Sequence, residues 1–491
     1  MSEPLVAGDS LGRSAATGTS WTVLGQGVRT IVLLVSTVVL ARLLDPDDFG
    51  VMAVVTSVVA FGELVYGLGL TTAAAREANL SRAQRSNLFW VNTALGVVMA
   101  AVAYGLAGPL SDLFDMPTLQ PALMVVSGTF VVNGLAAQFR AEINRTLRFR
   151  ALMIVDTVPT VLGFTAALAV ATTQRTIWVL VAQYLVIALT GCLLAVVLAR
   201  WLPGLPSRAA KIGDLLRYGI GLFGTQIVAY FTRNVDNYAI GYVWGAAPLG
   251  VYSRAYQLLM APMSQISAPL TRVYVPILSR VASDLGRHLR YVRLVATIPE
   301  VLLGSLYAIA AGAASPLILI LFGERWMEMV PVFQALAIGG VFRALNQVTF
   351  WVFLSLGAST QQFRFYLWSQ PLVAVIMLAG LPWGIVGVAV GHSVGYALNW
   401  LLSLSQVRRS TGFDSGALLR DGLWSVAIFA TPLGALAFGA SILLVSPWSA
   451  LLVTAGVCAG YIAVVVLTLP FGKRVLGDAR RAVAEVRGRS A

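Results

Sequence analysis

Apolar residues in this 491-residue chain gather in about fourteen runs, each near the length an α-helix needs to cross roughly 30 Å of hydrocarbon. The runs cover 20–41, 49–70, 88–110, 120–138, 152–171, 177–199, 216–241, 248–270, 291–313, 331–356, 363–381, 383–406, 421–445 and 448–470. Short polar connections separate them. The pattern predicts an all-α polytopic membrane protein, because a spanning segment must satisfy its own backbone hydrogen bonds. The run after Trp21 is too long for a signal-peptide core and reads as an uncleaved first span.

The charges sort onto alternate connections. One side holds Arg76, Arg82 and Arg85; then Arg140, Arg145, Arg148 and Arg150; then Arg200, Arg208, Lys211 and Arg217; then Arg272, Arg280, Arg287, Arg290 and Arg293. Arg364, then Arg408, Arg409 and Arg420, and the tail from Lys473 to Arg489 complete that side. The other side holds little beyond Arg42, Arg175 and Arg325 and carries acids such as Asp45, Asp47, Asp48, Asp112 and Asp115. By the positive-inside rule both termini lie in the cytoplasm, and about twenty-seven basic residues act as topology anchors that meet anionic lipid.

Composition adds to this picture. Hydrophobic residues make up 58% of the chain and charged residues 11%, and the mean hydropathy is +0.81. A net charge of +13 would fit nucleic-acid binding only on a folded soluble surface, for which no room remains, so no nucleic-acid partner is expected. Cys192 and Cys458 both sit inside apolar runs and imply neither a disulfide framework nor a metal site. Lysine occurs only at Lys211 and Lys473, which fits a bacterial, GC-rich coding bias.

A weak repeat emerges when the chain is shifted by about 200 residues: Gln26, Val28, Val35, Gly50 and Val51 meet Gln226, Val228, Val235, Gly250 and Val251. A shift near 208 brings Leu113-Phe114 onto Leu321-Phe322, each pair closing the third span of its half. The implied organisation is a tail at 1–19, a first lobe at 20–199, an inter-lobe loop at 200–215 and a second lobe at 216–406. Two further spans occupy 407–470, and a basic tail follows at 471–491. These are parallel repeats about an axis along the membrane normal, with a path for substrate between the halves.

Several ionisable residues lie at membrane depth, where each marks a cavity, a pair or an ion path. Arg29 falls about 14 Å into the first span and Glu63 about 10 Å from the end of the second, depths at which the two would pair. Arg233 and Asp236, three apart, share a helix face, with Arg254 in the same outer half. Arg343 lies about 18 Å down the tenth span, with Asn346 one turn on and Glu300 as the nearest acid at similar depth. Asp156 is shallow enough to reach water. Arginine suits bidentate capture of phosphate, and an acid such as Asp236 or Glu63 suits coupling to a proton or another cation. Pro159, Pro262, Pro269 and Pro299 offer bends within their spans.

Signals for catalysis are sparse. His288 and His392 have no partners at metal-ligand spacing, and no phosphate-binding glycine loop occurs, so no metal, cofactor or ATP hydrolysis is expected. Asp45-Pro46-Asp47-Asp48 reads as a tight outer turn.

The run Ala41-Arg42-Leu43-Leu44-Asp45-Pro46-Asp47-Asp48-Phe49-Gly50 resembles the first outer turn of Wzx-type polysaccharide exporters of the multidrug/oligosaccharidyl-lipid/polysaccharide flippase superfamily. Asn234-Val235-Asp236-Asn237 and Leu249-Gly250-Val251-Tyr252-Ser253-Arg254-Ala255 resemble the family's central segment. So do Leu321-Phe322-Gly323-Glu324-Arg325-Trp326, Asn346-Gln347 and Leu356-Gly357. The resemblance implies two pseudo-symmetric lobes around a central cavity. It also implies movement of undecaprenyl-diphosphate-linked oligosaccharide from the cytoplasmic to the outer leaflet of the bacterial inner membrane by alternating access. The expected partners are that lipid-linked oligosaccharide, membrane lipids, a coupling proton or sodium ion, and polysaccharide assembly proteins.

Arg29, Arg254, Arg343 and Arg233 are the candidate diphosphate-binding residues, and Asp236 and Glu63 the candidates for ion coupling. Related lipid II flippases carry cavity arginines on the first, second and eighth spans; Arg29 and Arg254 match two of these, but the second span offers Glu63. The alternatives are a lipid II flippase, a drug/cation antiporter of the same superfamily, and, from another class, a membrane glycan polymerase or ligase, which would need a sizeable outer loop.

Overall fold

The computed structural model of the chain describes residues 7–67, 80–146, 148–207, 210, 212–469, 472–473 and 477. Arg76, Arg208, Lys211 and most of the basic tail lie outside the described residues. Among those described there is no strand, and sixteen α-helices account for nearly all of the chain. Contacts divide it into two compact units, Met1–Gly250 and Val251–Ala491.

The first unit contains α1 (Ala7–Leu43), α2 (Pro46–Gly67), α3 (Arg82–Phe114), α4 (Leu119–Arg145), α5 (Phe149–Ala171), α6 (Trp178–Ala199), α7 (Gly213–Trp244) and the first turn of α8 (Ala246–Ser279). Helix α3 packs on α4, α4 on α6, α6 on α5 and α5 on α1, while α2 lies against α4 and α7. The α3–α4 seam is close because Gly96 and Gly134 face each other's backbones. A Cβ on Gly96 would meet the Phe130 carbonyl oxygen at 2.6 Å, and one on Gly134 the Asn92 carbonyl at 2.7 Å. In hydrocarbon, where apolar side chains gain nothing by leaving lipid, small residues that let backbones approach supply the packing energy.

The second unit contains the rest of α8, then α9 (Leu285–Gly312), α10 (Ala314–Leu321), α11 (Met329–Ser355), α12 (Ser359–Ala379) and α13 (Gly384–Thr411). It closes with α14 (Gly416–Ser425), a π turn at Val426–Ala430, α15 (Thr431–Leu443) and α16 (Pro447–Thr468). Helix α11 is sandwiched by α13 and α9, α12 lies on α13, and α15 joins α9 to α16. Helices α5, α8 and α9 run unbroken through Pro159, through Pro262 and Pro269, and through Pro299.

Among the described residues, eleven segments are long and apolar enough to cross a bilayer, and one of them, Ser359–Thr411, spans both α12 and α13. Helices α7 and α8, of 32 and 34 residues, overlay the predicted seventh and eighth spans but are not among the eleven. Their embedded polar residues dilute the apolar run. Large apolar side chains face outward, as Leu193 (63% exposed), Val197 (63%), Leu452 (73%) and Leu467 (67%) do. That arrangement suits lipid as the solvent, so the chain is a multi-pass membrane protein.

Two of the arginines expected as topology anchors, Arg85 and Arg293, also tie helix ends together. Glu142 on α4 accepts from Arg85 Nη1 of α3 at 3.0 Å and from Arg145 Nη2 at 2.7 Å. In the second unit Arg293 of α9 grips Asp421 of α14 with both Nε and Nη2. The segment after α6 is pinned as well. Asn87 Nδ2 donates to the Ser207 and Ala210 carbonyls and Asn87 Oδ1 accepts from Ser207 N, while Trp201 packs on Phe89 and Phe139. At the start of α9, Asp284 caps the helix by accepting from Arg287 N. That bond, aided by the Arg290 and Arg287 charges, holds its carboxyl below the usual range, so the cap weakens only as pH falls through the lowered pKa.

The sequence repeat has a geometric counterpart. Pro46 and Gly50 on α2 correspond to Ala246 and Gly250 on α8, and the contacts between them are reciprocal. A Cβ on Gly50 would overlap the Ala246 carbonyl oxygen, and a Cβ on Gly250 would overlap that of Pro46. The second repeat match also persists. Phe114 and Phe322 are each buried and each followed by a residue of positive φ, Asp115 at 51° and Gly323 at 90°. Replacing Gly50 or Gly250 with alanine is expected to cost about 1–3 kcal/mol by overpacking a backbone contact. Gly105→Ala, where a Cβ meets nothing within 4 Å, is the neutral control. Thermal unfolding of the detergent-solubilised variants checks the order.

Candidate functional site

Each unit holds charge at membrane depth, and the two clusters differ in how it is compensated. In the first unit, Arg29 of α1 enters a cavity of about 50 Å³ with Gln26, Asp156, Thr157 and Met153. Its Nε is buried without a hydrogen-bond partner. The expected Arg29–Glu63 pair is not formed. Asp156 is the acid beside Arg29, itself held by Arg140 Nη2 at 3.8 Å, and Glu63 instead lies near Tyr184. The reason is lateral placement: α1 packs on α5, so Arg29 finds the acid of α5, while α2 packs on α4 and α7.

Helix α7 brings a second acid inward. Asp236 is 3% exposed, and its Oδ1 accepts from Asn237 N at 2.9 Å. Arg233, one turn earlier, is exposed and makes no ion pair with it. Residues three apart on a helix differ by about 60° in direction, enough to carry one over the packed face and the other past its edge. Around Asp236, α7 is joined to α2 by Tyr230, whose hydroxyl donates to the Ser57 carbonyl and accepts from Tyr238 Oη at 2.6 Å.

In the second unit the cluster centres on Arg343, in the middle of the 27-residue α11. Its Nη1 donates to Tyr256 Oη of α8 and to His392 Nε2 of α13, each at 3.3 Å. Its guanidinium carbon lies 4.3 Å from the centroid of the Tyr396 ring. Tyr256 stacks in turn on Tyr252, and His392 lies edge-on to Tyr256 with centroids 5.9 Å apart. One turn along α11, Asn346 Oδ1 accepts from Ser403 Oγ at 2.8 Å. Arg343 and Asn346 thus face α13 together, and no ion pair joins Arg343 to Glu300.

What the two aromatic rings and one imidazole supply is dipoles and a π face, with no full negative charge. The arginine is held while its positive charge stays available to an anion, and its flat fork suits diphosphate oxygens. Arg254 lies two residues from each of Tyr252 and Tyr256 on α8, about 160° from both around the helix, and is partly buried. Among the described residues, no group of three or more histidine, cysteine, aspartate or glutamate side chains could hold a metal ion.

Sequence reasoning found Arg343 and missed its cage. The signal lay in α13, where His392, Tyr396, Asn399 and Ser403 recur at spacings of four, three and four and form one polar stripe. All but Tyr396 are buried, and Asn399 has neither side-chain amide atom hydrogen-bonded.

Residues 39–331 match the family described as "Polysaccharide biosynthesis protein". The match covers more than half of the chain. The chain belongs to this family. It is 24% identical over 398 residues to the lipopolysaccharide biosynthesis protein WzxC of Escherichia coli K12, covering 80% of this chain and 81% of that protein. It is also 24% identical over 378 residues to the teichuronic acid biosynthesis protein TuaB of Bacillus subtilis 168, covering 76% of each. Among solved structures, the lipid II flippase MurJ in an inward closed conformation aligns with a TM-score of 0.70, covering 91% of this chain and 99% of that one, at 12% identity. That likeness speaks to the fold.

A charge held by neutral groups behaves differently from one held by a carboxylate. Arg343→Met is expected to leave thermal stability unchanged or higher, because an apolar isostere removes the cost of burying the cation. Glu142→Ala, which strands Arg85 and Arg145 at partly exposed sites, is expected to cost of order 1–2 kcal/mol. Parallel melting curves test the contrast.

Proposed function

We propose that this member of the polysaccharide biosynthesis family is a flippase that carries undecaprenyl-diphosphate-linked oligosaccharide from the cytoplasmic to the outer leaflet by alternating access. The protein is a carrier in the bacterial inner membrane with both termini in the cytoplasm, an orientation supported by the alternation of arginines between connections. The observation that carries the reading is Arg343. An ionised group in the middle of a spanning helix costs several kcal/mol, and here the compensation comes from neutral rings. The uncompensated charge is positive, as an anionic diphosphate requires and as a drug/cation antiporter would not.

In this reading Arg343 and Arg254 of the second unit and Arg29 of the first attract the diphosphate. Arg233 is exposed on α7. Asp236 and Glu63 are the acids available for coupling to a proton or sodium ion. Substrate bound unequally by inward- and outward-open states shifts their populations, which is all that a carrier needs from its ligand. Relatives named for lipopolysaccharide and teichuronic acid biosynthesis support a lipid-linked glycan as cargo.

The test is reconstitution of the purified protein into vesicles with a labelled diphospho-lipid sugar, with and without a proton or sodium gradient. Transbilayer movement is expected, and none under any gradient would refute the assignment. In cells, Arg343→Ala and Arg254→Ala at preserved membrane abundance should abolish surface glycan. Unchanged export would remove these residues from the site.

A further inference from the structure

The contact between Arg343 and His392 defines the protonation of both partners. A guanidinium has only donors, so at 3.3 Å His392 Nε2 must offer a lone pair, and the imidazole is neutral with its hydrogen on Nδ1. That Nδ1 is buried and has no hydrogen-bond partner. It faces Gly339, where a Cβ would come within 2.8 Å of it. His392 itself is 1% exposed, whereas Arg343, Tyr256 and Tyr396 are only partly buried. The cluster therefore has an arginine on its accessible side and a histidine behind it.

The groups around the ring are few. Helix α11 contributes Arg343, α8 contributes Tyr256, and α13 itself contributes Tyr396. Tyr307 on α9 is engaged with the Leu259 carbonyl, and Tyr366 on α12 with Gln362. Asp421 on α14 is tied to Arg293. Arg343 is the charged side chain in hydrogen-bond contact with the ring.

We propose that His392 is a proton-binding site linked to substrate: when an anionic diphosphate draws Arg343 away, His392 takes a proton from the buffered solvent through the admitted water, and the two ligands bind together. The inference rests on the flippase reading above and adds a proton site distinct from Asp236 and Glu63. Anion binding removes a positive neighbour and brings negative charge close, and both changes favour the imidazolium. The protonated Nε2–H then donates to the diphosphate in place of accepting from Arg343. By linkage, a ligand that raises proton affinity binds more tightly as protons become more abundant.

The test uses the full-length protein in lipid nanodiscs, titrated calorimetrically with a short-chain prenyl diphosphate at pH 8 in buffers of different ionisation enthalpy. The wild type is expected to take up close to one proton more per diphosphate than His392→Asn or His392→Gln, which cancels titration of the ligand itself. Its affinity should weaken about tenfold per pH unit of rise relative to the variants. Equal proton uptake by wild type and variants would overturn the proposal, as would zero uptake by the wild type once the ligand's own protonation change is subtracted. Diphosphate binding without linked protons would leave the flippase reading intact. Failure of the wild type to bind at any pH would take down the Arg343 assignment, and the proton site with it.

Discussion

Hydrocarbon offers no hydrogen bonds, and nearly everything in this structure answers to that. Backbone groups are satisfied within helices, so sixteen of them account for almost all of the described chain. Side chains that face lipid are apolar and loosely covered. Helices meet through glycines, at Gly96 and Gly134 and again at Gly50 and Gly250, because close backbone approach replaces the hydrophobic drive that water would supply. Every polar group left at depth then stands out, since it has been kept against a cost.

The arginines answer the same constraint in two ways. At helix ends they find carboxylates, as Arg85 and Arg145 find Glu142 and Arg293 finds Asp421, and there they act as architecture. At depth, Arg343 finds phenols, an aromatic face and an imidazole. A carboxylate would hold it more firmly but would also spend its charge. A cage of neutral groups keeps the cation oriented and leaves its charge unneutralised, as the proposed binding of a diphosphate requires. The same economy makes His392 informative, because a neutral imidazole pressed against a guanidinium changes its affinity for protons as soon as the guanidinium is called elsewhere.

Much of this was legible in the chain. Apolar run length predicts the helices. The repeat at a shift of about 200 residues, resting on a handful of identities, is matched by reciprocal contacts between Pro46, Gly50, Ala246 and Gly250. Arg343 declared itself by depth alone. Its partners did not, because depth orders residues along the membrane normal and leaves their lateral positions open. Arg29 and Glu63 lie at compatible depths and still do not pair, since α1 packs on α5 and presents Arg29 to Asp156. Likewise Arg233 and Asp236 are three residues apart, but only Asp236 turns inward.

The sequence by itself thus determined the class of fold, the membrane as solvent and the short roster of residues that must be explained. Those are properties of composition and of position along one axis, which a linear chain carries directly. Tertiary structure alone decided which helix lies beside which, and therefore whether a given charge is neutralised or left available. The deciding quantity is lateral adjacency over a few ångströms between helices far apart in sequence, such as Arg343 on α11 with Tyr256 on α8 and His392 on α13. No periodicity within a single helix encodes it.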